Sequence, residues 1–203
     1  MDNKIKILFL RHGKTKSNIE KRYLGRIDEE LCKEGIADLN AAKKALCTEF
    51  DISFASPLKR CLQSGNIIAP ATDIVKIPQW IEMDFGPFEG KTYDELKNNQ
   101  LYVKWIDCGG EIDIDGVEKK SDFIKRCMSG YDDCIKEIKR YNTLSNEGIK
   151  NVLCSVHGGT IMAILSTVLQ KDYYEFMVGN ASGYELIFDR DNYKLLDYRK
   201  VSF

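Results

Sequence analysis

The sequence predicts an α/β fold built on a largely parallel central sheet. Three observations carry that reading. Short apolar runs alternate with longer stretches at helical spacing along most of the chain. Two of the runs, IKILFL and NVLCSV, end at Arg-His-Gly and His-Gly-Gly, as buried strands do when they feed a loop. The last two runs flank the turn Arg190-Asp191-Asn192 and read as a hairpin, so the sheet is mixed.

The elements follow in order. Ile5–Leu10 is the first strand, after which Thr15 or Ser17 can cap a short helix. Leu31–Phe50 places Leu31, Ile36, Leu39, Ala42 and Leu46 close to a helical period. Ile52–Ala55 is a second strand. Ser56-Pro57 then reads as a helix start with proline at the first position, the helix running from Leu58 to about Ala69. Ile74–Ile77 is a third strand, and Thr92–Asn98 and Val117–Tyr141 look helical. Asn151–Val156 is the fourth strand, Thr160–Leu169 a buried helix, and Tyr184–Phe188 with Lys194–Tyr198 the hairpin. The 203 residues suit one domain spanning 1–203, with a lid or insertion around 82–118 that includes the Cys108–Gly116 loop.

Composition narrows the function classes. With 30 Lys and Arg against 31 Asp and Glu the net charge is −1. No global field recruits nucleic acid or an anionic membrane, so an anion site must be a local cluster of cations. No stretch reaches the roughly 18 apolar residues of a membrane span, and the N-terminal run ILFL is too short for a signal peptide. The seven cysteines, with no C-x-x-C pair, fit a reduced cytosol rather than a disulfide framework or a zinc knuckle. The expected setting is cytoplasmic, with no metal and no cofactor.

The placement of the histidines is the sharpest signal. There are two, His12 and His157, and each follows an apolar strand and precedes glycine. Ligands of open α/β sheets bind at the carboxyl ends of strands, and helix N-termini there favour anions. A lone histidine is more often an ordinary loop or core residue; two in the same context are not easily explained that way. Arg11 precedes His12, and Arg60 follows a third strand end. Guanidinium groups match phosphate geometry, whereas a lone arginine is usually a solvated surface charge.

These residues fall into a known pattern. Arg11-His12-Gly13-Lys14-Thr15 with Asn18, Ser56-Pro57-Leu58-Lys59-Arg60, Glu82…Gly86-Pro87-Phe88-Glu89-Gly90 and Val156-His157-Gly158-Gly159 resemble, in order, the elements of the histidine phosphatase superfamily, phosphoglycerate mutase-like branch. Gly25…Asp28…Leu31…Gly35 resembles its spacer, and Glu118…Arg126 a weaker acidic-to-Arg element. The resemblance covers roughly residues 5 to 165. It implies a three-layer α/β/α sandwich. It implies that His12 attacks phosphorus, that Arg11, Arg60 and His157 hold the phosphoryl oxygens, and that Glu82 protonates the leaving alcohol. It also implies that Asn18, Thr15, Gly25 and Gly158 border the substrate. The partner is then a small phosphorylated metabolite, needing no metal, and a homodimer is left open.

The activity implied first is hydrolysis of small phosphomonoesters, with α-ribazole-5′-phosphate or a sugar phosphate among the candidates. A phosphoglycerate mutase is second; the segment after Asn18 and the length beyond Glu82 depart from the mutase pattern. A non-catalytic phospho-ligand module is third, and the retention of all five catalytic positions speaks against it. Lys14 stands where the family usually has an acid, so it either adds a cation for a second anionic group or is a surface lysine.

Overall fold

The computed structural model describes residues 3–144 and 148–203. β1 (Lys4–Arg11) leads through α1 (Lys16–Ile19) and α2 (Lys33–Leu46) to β2 (Ile52–Ala55), α3 (Lys59–Ile68) and β3 (Ile74–Lys76). Next come α4 (Tyr93–Leu96), α5 (Gln100–Asp107) and α6 (Lys120–Leu144). β4 (Asn151–Val156), α7 (Gly158–Leu169) and the hairpin β5 (Gly183–Asp189) and β6 (Leu195–Val201) complete the chain. The strands form one sheet in the order β3-β2-β4-β1-β5-β6. β1–β4, β2–β4 and β2–β3 pair in parallel, while β5 runs antiparallel to both its neighbours. This is the mixed, mostly parallel sheet that the alternation and the final hairpin predict.

Strand periodicity divides the core between two faces. Ile5, Ile7 and Phe9 of β1 point to the side that also holds Phe123, Cys127, Cys134 and Ile138 of α6 and Ile161 and Ile164 of α7. Leu8 and Leu10 point the other way, against Leu39 and Ala42 of α2 and Ile68 of α3. Helices on both faces of the sheet make the three layers. α6 sits on the sheet because its buried residues recur at spacings of four and seven. Burying each large apolar side chain contributes about 1.5–3 kcal/mol before the entropy of ordering the chain is counted.

Two local expectations change. Pro57 does not open α3. The Ser56 N–H still bonds Ser155 O, extending the β2–β4 ladder, and Leu58 stays extended as the N-cap, so the helix starts at Lys59. The stretch before the Cys108–Gly116 loop, given no element above, holds α5. Asn99 caps that helix by accepting from the Leu101 and Tyr102 N–H groups, and Tyr102 and Trp105 bury one face of it.

Candidate active site

The strand register brings the two histidines together. β1 and β4 are parallel neighbours with Arg11 opposite Val156, and the His12 N–H continues the ladder to Val156 O at 2.9 Å. The next residue on each strand is a histidine, and the two rings lie 5.2 Å apart, centroid to centroid, at 70°. Both are buried.

Their hydrogen bonds settle their tautomers. His12 Nδ1 lies 2.7 Å from Gly13 O, an acceptor, so the proton is on Nδ1 and Nε2 keeps its lone pair. Burial, with Arg60 and Arg11 alongside, holds this imidazole well below the usual histidine value. His157 is the mirror case. Arg60 Nε donates to its Nδ1 at 3.3 Å, so Nε2 carries the proton and donates to Ser56 Oγ at 2.7 Å. Burial and the charge on Arg60 hold His157 neutral as well.

The arginines differ in their ties. Arg60 is fully buried, and its Nη1 and Nη2 donate to Ile27 O and Gly25 O, both at 2.8 Å. Gly25 must be glycine, since a Cβ there would overlap the Met83 carbonyl. Arg11 donates through Nη1 to Val178 O at 2.7 Å, while its buried Nε has no partner among the described residues. Burial lowers the Arg11 pKa, against the pull of Glu82; the guanidinium remains charged at any working pH.

Glu82 faces the histidines from the other side. Its Oε2 accepts from the Gly159 N–H in the first turn of α7 at 3.2 Å, and its Oε1 from the Met83 N–H at 2.9 Å. Burial nonetheless raises its pKa, outweighing those two bonds and the arginines. The Glu82 backbone is clamped by Arg126, which donates to the carbonyls of Gln79, Ile81 and Glu82 and pairs with both oxygens of Glu118.

Arg11, His12, Asn18, Glu82 and Gly158 line an open cavity of about 700 Å³. Arg60, His157, Thr15 and Gly25 are absent from its wall and stand behind it. Thr15 is the buried N-cap of α1 in a capping box with Asn18. Lys14 pairs with Asp38 at 2.8 Å, away from the cavity, which makes it a surface lysine. Among the described residues no three His, Cys, Asp or Glu side chains converge as a metal site. No helix among them is long and apolar enough to cross a membrane.

Some residues of the site were not singled out from the sequence. Ser56 orients His157, and Ser64 accepts from the Gly13 N–H at 3.0 Å while donating to Arg60 O. Both lie near Arg60 in the segment that carries the Ser-Pro-Leu element, and their hydroxyls were the available signal. Asn180 donates to His12 O at 3.0 Å and to Asn18 Oδ1 at 3.1 Å. Nothing local marks it, since 168 residues separate it from His12.

Fold and site together define an α/β protein with two histidines and two arginines gathered at a cavity beyond the ends of parallel strands. The model of the histidine phosphatase superfamily (branch 1) matches residues 7–200, and the chain belongs to that family. A broad-specificity phosphatase of Saccharomyces cerevisiae is 28% identical over 192 residues, 89% of this chain and 78% of the yeast protein. A 2,3-bisphosphoglycerate-dependent phosphoglycerate mutase of Nautilia profundicola is 34% identical over 100 residues, and that match spans 45% of this chain and only 44% of the mutase. A candidate α-ribazole-5′-phosphate phosphatase of Escherichia coli superposes with a TM-score of 0.80 over 98% of this chain and 96% of its own, at 18% identity. That last likeness is one of fold.

Proposed function

We propose that this chain is a phosphatase that hydrolyses small phosphate monoesters through a phosphohistidine at His12. The observation that carries the reading is the free Nε2 lone pair of a neutral His12, facing the same cavity as the Arg11 guanidinium and a Glu82 whose pKa is raised.

In the first step His12 Nε2 bonds to phosphorus as the bond from phosphorus to the alcohol oxygen breaks. Glu82, whose carboxyl form burial favours, gives its proton to that oxygen. In the second step Glu82, now a carboxylate, takes a proton from water. The water oxygen bonds to phosphorus, the P–N bond breaks, and inorganic phosphate leaves with His12 and protonated Glu82 restored. Charge spreads over three phosphoryl oxygens in each transition state, so fixed cations and donors supply most of the stabilisation. Arg11, which lines the cavity, presents its charge to the phosphoryl oxygens, and Arg60 adds positive charge from behind, beside a neutral His157. Asn18 and the α7 N-terminus at Gly158 border the phosphoryl group. The arginines do the work a metal would do, so the reaction is read as metal-independent.

The relatives named mutases favour one second reading, since transfer from phosphohistidine to a second hydroxyl uses the same groups. The two separate experimentally. Purified protein in EDTA is expected to release phosphate from p-nitrophenyl phosphate, with an acid-labile phosphoryl group on His12 trapped by rapid quench. No adduct at residue 12, or complete loss on chelation, overturns the mechanism. Isomerisation of 3-phosphoglycerate, primed by a bisphosphate and faster than hydrolysis, makes the protein a mutase. A panel of phosphorylated metabolites, α-ribazole-5′-phosphate and sugar phosphates included, then ranks substrates.

A further inference from the structure

Resting on that phosphatase reading, we infer that the alcohol half of the substrate is an uncharged aromatic group rather than a second anion. The cavity is far larger than a phosphoryl group needs, and its chemistry changes away from His12. Tyr23, Phe85 and Trp105 form one wall, mutually edge-on at ring-centroid distances of 5.2 to 6.1 Å. Tyr173 and Met162 also line the space. Aromatic walls of this kind hold planar apolar rings by stacking and edge-to-face contact.

The cations near this wall are already engaged. Arg22 is 2.6 Å from Glu20 and 3.0 Å from Glu95, and it also donates to Gly90 O. Lys120 lies 3.7 Å from Glu111 and over the ring of Tyr173 at 5.7 Å. Asp107 adds a negative group to the lining. A carboxylate or second phosphate placed here would have to displace an existing ion pair, and an uncharged ring would not.

Trp105 is 7% exposed and lines the cavity with its ring, its indole nitrogen buried without a partner among the described residues. Gly110 stands next to that nitrogen and puts no side chain over it. The reaction is unchanged: the P–O bond to the aromatic alcohol breaks, water supplies the hydroxyl, and the alcohol leaves protonated.

The test compares esters of similar leaving-group reactivity. Purified protein is assayed for phosphate release from 2-phenylethyl phosphate, ethyl phosphate, phosphoserine and 3-phosphoglycerate, with p-nitrophenyl phosphate as the check on hydrolysis itself. The phenylethyl ester is expected to have about 10- to 100-fold higher kcat/KM than ethyl phosphate, the difference lying in KM, as burial of one ring allows. Trp105→Ala is expected to pull that ratio toward unity. Titration with 2-phenylethylphosphonate is expected to change the fluorescence of the wild-type protein, a readout independent of turnover and of whether the variant folds. Phosphoserine or 3-phosphoglycerate outperforming the phenylethyl ester, or equal KM for the phenylethyl and ethyl esters, overturns the inference and leaves the phosphatase standing. Failure to hydrolyse any of the esters, p-nitrophenyl phosphate included, removes the phosphatase reading and this inference with it.

Discussion

The two ends of the cavity are held in different ways. At the end proposed to take the phosphoryl group, the histidines and arginines hang from strand ends: Arg11 and His12 from β1, Ser56 after β2 with Arg60 in the first turn of α3, and His157 after β4. The ladder fixes their backbones, and side-chain bonds such as Arg60 to Gly25 O and Ile27 O fix what lies beyond. The far wall comes from α5, the turn after it, and residues near Tyr23 and Tyr173. Ring contacts hold it, with the Tyr23–Tyr102 hydroxyl pair at 2.7 Å as a polar tie. A rigid end suits chemistry that must be placed to a fraction of an ångström, and an apolar end suits selection. Substitutions at the first should therefore lower kcat for every ester, and those at the second should change KM in an ester-dependent way.

The largest effect belongs to the nucleophile. On the proposed mechanism, His12→Ala leaves the cations in place and removes the attacking nitrogen. We expect kcat to fall at least ~10³-fold for alkyl and aryl esters alike, with no phosphoryl adduct after rapid quench. A variant that still turns over aryl phosphates quickly would break the assignment of the rigid end to covalent chemistry.

Glu82→Gln should divide esters by leaving group. Alkyl phosphates need the proton and should lose roughly 10²–10⁴ in kcat, while p-nitrophenyl phosphate, whose phenolate leaves unaided, should lose less. Equal losses on both would take Glu82 out of the acid role. Smaller again is Arg126→Lys. Lysine keeps the charge but loses the fork that spans three carbonyls and the Glu118 carboxylate. The Glu82 backbone then loosens, and kcat for alkyl esters should drop about 10- to 100-fold with little change in KM. A matching rise in KM for aromatic esters alone would instead tie Arg126 to the apolar wall.

The same contrast sets what could be read from the amino-acid sequence. The phosphoryl end was legible because strand-end placement is a local pattern: IKILFL before His12 and NVLCSV before His157 predict both the strands and the meeting of their ends. β2 and β4 begin and end where the apolar runs do. The far wall was not legible, because Trp105, Tyr23 and Tyr173 come together only through tertiary packing, and α5 lies in a segment with no clear apolar period. Asn180 was hidden for a related reason: it bonds a backbone group of the His12 loop from a distant stretch of chain. Pro57 misled because a rule for isolated helices met a strand ladder that extends one residue further.

The smallest effect is on stability, and it arises at the histidine end alone. His12 and His157 are both held neutral, far below the usual value of 6.5. As pH falls below that value the unfolded chain takes up two protons that the folded site refuses, so unfolding becomes easier. Glu82 acts in the opposite direction. Its raised pKa means that the folded protein keeps a proton the unfolded chain has lost above 4.5, so its contribution grows as pH falls toward 4.5. Glu82 offsets part of what the two histidines lose, and the net expectation is a fall in stability as pH drops below about 6.5. Thermal melts from pH 7.5 to 5.5 should therefore show a falling Tm, and Glu82→Gln, which removes the opposing group, should steepen the fall. A flat or rising Tm across that window would mean that the folded site accepts protons on its histidines, and a protonated His12 has no lone pair with which to attack phosphorus.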